Sequence, residues 1–166
     1  MCANREETIY GHLNLGVPPH MSIRHYKESD YASVLNVYTL SKLDELRFED
    51  QQFELIPLDK DLTRLALFKA SDVIVYEDSG VIGFGASHGC EIRSLFVHPI
   101  ARGKGVGRGL LEHMLSRMTG PVTLNVAKSN ITAKSLYAMY GFEVVDEFEA
   151  TYNGVKVLAN TMMRPL

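Results

Sequence analysis

The run Arg102-Gly103-Lys104-Gly105-Val106-Gly107-Arg108-Gly109 gathers the most telling chemistry of the chain. Glycines let a ligand approach the main chain closely, and free N–H groups at the start of a following helix attract anions. Arg102, Lys104 and Arg108 add positive charge at the same place, in a chain whose 17 Lys+Arg and 20 Asp+Glu leave a net charge of −3. Glycine inside a helix costs about 1 kcal/mol relative to alanine, so Gly107 and Gly109 in the first turns call for a compensating gain. The chemistry indicated is the binding of a phosphate or pyrophosphate. Spacing excludes two common forms of it. A dinucleotide-binding G-x-G-x-x-G fails because the third glycine position holds Arg108 or Leu110, and a P-loop fails because Gly105 follows Lys104 where Ser or Thr is required.

Other residue types point less sharply. His88 and His98 flank the apolar run 92–97, and His98, just before Pro99, reads as structural. The six histidines and two cysteines show neither H-E-x-x-H nor paired C-x-x-C spacing, so no metal site is expected. Cys90 lacks a His-based triad signature and reads as an inert thiol. Residues 44–54 (DELRFEDQQFE) hold five acids and one base; such a run is a solvated face or an acidic rim that would favour a cationic ligand.

The elements that must position these groups follow from periodicity. Residues 22–26 suggest a strand. Glu28-Ser29-Asp30 caps a helix with Tyr31, Val34, Leu35 and Tyr38 at i, i+3, i+4, i+7. A second helix is expected after Pro57, with Leu58, Leu62, Leu65 and Ala66 on one side. Val73–Tyr76 and Val81–Ala86 read as a hairpin around Glu77-Asp78-Ser79-Gly80. Ile92–Val97 is a further strand. The helix after the glycine-rich loop spaces Val106, Leu110, Met114 and Met118 by four. Val122, Leu124 and Val126 alternate as in a strand, and Asn130–Tyr140 reads as a helix stopped by Gly141. Phe142–Ala150 and Val155–Met163 form a last hairpin around Asn153-Gly154. The order implies an α+β (mixed α/β) sandwich around one sheet.

Composition sets the outer bounds. The chain has 166 residues, 46% of them hydrophobic and 22% charged, enough for one sizeable core in a soluble globular protein. A slight acidic excess argues against general affinity for nucleic acid or anionic membrane, and no apolar run approaches the roughly 18 residues of a spanning helix. Two cysteines, Cys2 and Cys90, indicate a reducing, cytoplasmic compartment. Residues 1–20 lack the pattern of a secretory signal and read as a native extension or sequence left from cloning; residues 21–166 read as the domain itself.

Read as Arg-x-x-Gly-x-Gly, the residues Arg102, Gly105 and Gly107 resemble the acetyl-CoA signature of the GNAT N-acetyltransferase superfamily. The preceding Glu91–Pro99 strand and the later Asn130-x-x-Ala133-x-x-x-Tyr137-x-x-x-Gly141-Phe142 extend the resemblance over roughly residues 22–163. It implies a central, mostly antiparallel twisted sheet with a parallel pair at the acetyl-CoA site, flanked by about four helices. It also implies that the pantetheine arm pairs with the main chain at Leu95, Phe96 and Val97. Main-chain N–H groups across Arg102, Gly103, Lys104, Gly105, Val106, Gly107 and Arg108 would hold the pyrophosphate. Lys128 or Lys134 would meet the 3′-phosphate, with Asn130 and Lys134 on the face shared by Tyr137.

Acetyl transfer to an amine needs a neutral amine, a stabilised oxyanion and a proton for the departing thiolate. Tyr137 is the candidate proton donor: at roughly 100° per residue it lies within about 20° of Asn130, whereas Tyr140 lies about 80° away. Glu91 is the candidate base, placed by strict alternation on the face of Leu95 and Val97; another base position of the family is filled here by Asn125. The resemblance thus implies an acetyl-CoA-dependent enzyme acting directly on a primary amine, with a small molecule as the first expectation. Two rivals stay open: a non-catalytic acetyl-CoA-binding module, and an acetyltransferase acting on a protein or peptide amine. Pairing of two copies is also in keeping with the family.

Overall fold

The computed structural model describes residues 21–166; the expectations for residues 1–20, Cys2 included, lie outside the described residues. The order of elements is β1 (Ser22–His25), α1 (Tyr31–Ser41), α2 (Leu62–Lys69), β2 (Asp72–Glu77), β3 (Val81–His88), β4 (Glu91–Val97), α3 (Val106–Leu115), β5 (Val122–Ala127), α4 (Ile131–Met139), β6 (Glu143–Tyr152) and β7 (Val155–Arg164). Short 3-10 turns occupy Glu28–Asp30, Lys42–Leu46 and Pro99–Ala101.

The strands form one seven-stranded sheet in the order β1-β2-β3-β4-β5-β7-β6. Every pairing is antiparallel except β4 with β5. The hairpin expected around Asn153-Gly154 is present, and φ values of 47° and 76° at its two central residues are those a tight primed turn demands. Sequence pattern did not indicate that β7 would insert between β5 and β6, because that pairing joins residues far apart in the chain.

Alternation along β2 divides the core between the two faces of the sheet. Val73 and Val75 turn toward α1 and α2, joining Val34, Val37, Tyr38, Phe68, Phe84 and Phe96. Ile74 turns the other way, joining Leu110, Leu111, Met114, Leu124 and Tyr137 under α3 and α4. Full burial of each such side chain stabilises the fold by about 1.5–3 kcal/mol. Two glycines of β3 let α3 lie close: a Cβ on Gly83 would stand 3.0 Å from both the Phe96 carbonyl oxygen and Val106 Cγ1.

The second helix departs from expectation. Residues after Pro57 form a turn, with the Lys60 and Asp61 N–H groups donating to the Pro57 carbonyl at 2.9 and 3.0 Å. Asp61 then caps α2 by accepting the Arg64 N–H at 3.0 Å. That later start fixes a different inward face: Phe68 is buried against Tyr26 and Phe84, while Leu62 is 80% exposed. Leu58 is buried, but in the turn ahead of the helix.

Candidate active site

β4 and β5 pair only at Glu91–Thr123 and Ile92–Leu124. Past those two rungs no strand among the described residues meets the β5-facing edge of β4, and a cavity of about 920 Å³ opens through the gap. The divergence coincides with a bulge, since Ser94 pairs with Ala86 and Ile92 with Ser87, leaving Arg93 as the extra residue. A bulge moves all side chains beyond it to the other face. Ile92 therefore shares the α3 face with Leu95 and Val97. This corrects the expectation that Glu91 lies on their face by alternation. Glu91 still lines the cavity, with its carboxylate accepting from Arg93 Nε at 2.9 Å.

The glycine-rich loop leads into α3 as an open cradle. Gly103 and Gly105 have φ of 72° and 83°, with nothing within 4 Å of where a Cβ would sit. Gly105 precedes the helix without a side-chain cap. The first main-chain bond of α3 runs from the Gly109 N–H to the Gly105 carbonyl at 2.9 Å, so the N–H groups just before Gly109 have no intrahelical acceptor. Gly109 itself makes room for Tyr76 and Ile23, which a Cβ would meet at 3.3 and 3.5 Å. Arg102, Gly103, Gly105, Val106, Gly107 and Arg108 line the cavity together with Leu95, Phe96 and Val97. The Phe96 ring, however, packs with Tyr38 and Phe84 on the α1 face.

Not every expected residue joins them. Lys104 and Lys134 do not line the cavity. The Lys134 ammonium donates to Asn160 Oδ1 at 2.8 Å and to the Lys128 carbonyl at 3.3 Å, and Lys128 pairs with Glu147 at 2.8 Å. Asn130 lines the cavity while its side chain caps α4 by accepting the Ala133 N–H. Tyr137 lines the cavity and is buried beside Phe142. Burial pushes its phenol well above the ordinary value, and the Glu45 carboxylate adds to the effect. Tyr140 points elsewhere, donating to Glu112. His98 is structural, its Nδ1 accepting the Ile100 N–H.

The acidic run 44–54 is not a free rim. Asp44 holds Arg102 at 2.6 Å, Glu45 accepts from Lys42, and Glu49 accepts from Ser129. Arg47 reaches Thr132 Oγ1 at 3.3 Å. Residues 42–49 thus form a strap bound to the glycine-rich loop and to the start of α4. Beneath it lies a polar group that local pattern did not reveal. Lys42 and Arg64 stand over the Tyr152 ring at 5.3 and 4.9 Å, and Asp61 binds Arg64 at 2.7 Å. The nearby Tyr38 hydroxyl is buried without a hydrogen-bond partner among the described residues. Tyr152 comes from the end of β6, so only the tertiary fold brings it to residues 42 and 64.

A sheet parted beside an amide-lined helix start offers an unpaired strand edge and anion-binding N–H groups to one extended ligand. Residues 69–144 match the acetyltransferase (GNAT) domain model, and the fold is one shared with solved GNAT N-acetyltransferases. Over 77 residues the chain is 40% identical to the peptidyl-lysine N-acetyltransferase YjaB of Escherichia coli, covering 46% of this chain and 52% of that protein. The chain thus spans about half the length of the curated relatives it matches. The solution structure of apo-form YjaB from Escherichia coli superposes with a TM-score of 0.69 at 26% identity, over 87% of this chain and 97% of that one. A phosphinothricin acetyltransferase from Sinorhizobium meliloti, solved with acetyl-CoA, superposes with a TM-score of 0.67 at 22% identity, over 88% of each chain. None of the helices among the described residues is long and apolar enough to cross a membrane.

Proposed function

We propose that the chain is an acetyl-CoA-dependent N-acetyltransferase that acts on an aliphatic primary amine of the lysine type. The observation that carries this reading is the parting of β4 and β5 directly beside the glycine cradle of α3. The free N–H groups before Gly109, with Arg102 and Arg108, suit the pyrophosphate, and the unpaired edge of β4 suits the pantetheine arm. Bound there, the thioester supplies an activated acetyl group. Glu91 takes the proton of the attacking amine, directly or through water, and main-chain N–H groups of β4 face the developing oxyanion. Tyr137, kept protonated by burial, returns a proton to the departing thiolate.

A lysine-type acceptor is supported by the peptidyl-lysine activity named for YjaB. The acceptor half of the cavity also supports it, since it already holds one alkylammonium, that of Lys42, between the Phe96 and Tyr152 rings. A small-molecule amine remains the second reading, favoured by the phosphinothricin acetyltransferase neighbour. Calorimetric titration with acetyl-CoA, followed by thiol-release assays with lysine-containing peptides and with a panel of free amines, tests the proposal. One-to-one binding and faster turnover of peptides are expected. Turnover of free amines alone would assign the second reading, and binding without turnover of any amine would leave a non-catalytic acetyl-CoA module.

A further inference from the structure

Lys42 is a buried primary amine that the proposed transfer does not use. Only 9% of the residue is exposed, and it lines the same cavity as Phe96, Tyr137 and Tyr152. Its ammonium lies 5.6 Å from the Phe96 ring centre and 5.3 Å from that of Tyr152, and it donates to Glu45. Two aromatic faces and a carboxylate are what an incoming alkylammonium would seek. Phe96 follows Leu95 and precedes Val97 on β4, at the opened edge of the sheet. Glu45 in turn acts electrostatically on Tyr137, so the amine, the carboxylate and the phenol border one continuous space.

We propose that Lys42 is itself an acceptor, acetylated in cis by the same molecule that binds the thioester. The proposal rests on the acetyl-CoA reading above. In this step the Lys42 Nζ–acetyl carbon bond forms and the acetyl carbon–sulfur bond breaks, its electron pair leaving on sulfur. The Lys42 ammonium first gives one proton to Glu45, which passes it to solvent, and so becomes the neutral nucleophile; a second proton leaves nitrogen as the amide forms and replaces the one that Tyr137 gives to the thiolate. No further oxidant or reductant enters. Burial closes Lys42 to the active site of a second copy, and fixing both reactants in one cavity makes the step unimolecular. The product amide carries no charge, so Glu45 loses its partner and the cavity loses one cation.

The test is incubation of the full chain with acetyl-CoA, followed over time by intact-mass spectrometry and peptide mapping. Expected is one acetyl group per chain, on Lys42, with a half-time independent of protein concentration and absent from Lys42→Arg. That variant keeps the charge, and its fold is checked by circular dichroism. The wild-type map does not depend on it. Spontaneous acetylation would instead favour solvent-facing lysines such as Lys60 and Lys156, whose side chains are 72% and 73% exposed. Binding of acetyl-CoA without acetyl on Lys42, modification spread over exposed lysines, or a rate rising with protein concentration would each overturn the proposal while leaving the parent reading intact. Failure of acetyl-CoA to bind at all would remove both.

Discussion

Burial holds the Tyr137 phenol protonated well past its ordinary value near 10. The sign matters for pH dependence. A raised value means that the donor form persists as pH rises, so an alkaline limb below about pH 10 in kcat belongs to another group. Tyr137→Phe is expected to lower kcat by about 10²–10⁴-fold, the usual range for loss of a general acid, with little change in the Kd for acetyl-CoA. Steady-state kinetics and calorimetry on the variant check this, and an unchanged kcat would take Tyr137 out of the mechanism. Helix geometry alone separated Tyr137 from Tyr140, and the two do point apart. The face of Glu91 was misread from sequence because one unpaired residue, Arg93, shifts the alternation, and nothing in the local sequence marks a bulge there.

Elements matter most where the strap meets the glycine-rich loop. Arg102, offered to the pyrophosphate in the proposed reading, is held by Asp44. Both side chains are about two-fifths exposed, so the pair contributes about 0.2–1 kcal/mol. Asp44→Asn removes this competitor, and the affinity for acetyl-CoA is expected to rise by about 1.5- to 5-fold, the same energy expressed as a ratio. Calorimetry on the variant reads it directly; an unchanged Kd would mean that Arg102 does not serve the ligand. Local pattern announced the loop, α3, α4 and both hairpins, since each rests on contacts within a short stretch. It failed for α2 because a helix of eight residues, Leu62–Lys69, gives periodicity little room. There the cap at Asp61 and the bulk of Phe68 decide which side faces inward.

At the scale of the molecule, sequence order suggested strands and helices around one sheet, and the parallel pair expected by resemblance is present. The insertion of β7 between β5 and β6 and the arrival of Tyr152 beside Lys42 depend on long-range packing that periodicity does not encode. The sheet is continuous on paper, yet β1–β4 and β5–β7 meet through only the two rungs at Glu91–Thr123 and Ile92–Leu124. A ligand that lies along this gap stabilises the native state by mass action. At about 100 times its Kd, acetyl-CoA is expected to add about 2.7 kcal/mol, which for a chain of this size raises Tm by roughly 5–10 °C. Differential scanning fluorimetry with and without acetyl-CoA checks it, and an unmoved Tm would mean that the gap does not take the ligand.

The two-rung join also has a consequence for the protein's survival. Sub-global opening there would expose the inner edges of two half-sheets to proteases. Anything that staples the halves together lengthens the protein's lifetime, so in the proposed reading its turnover would follow the supply of the thioester.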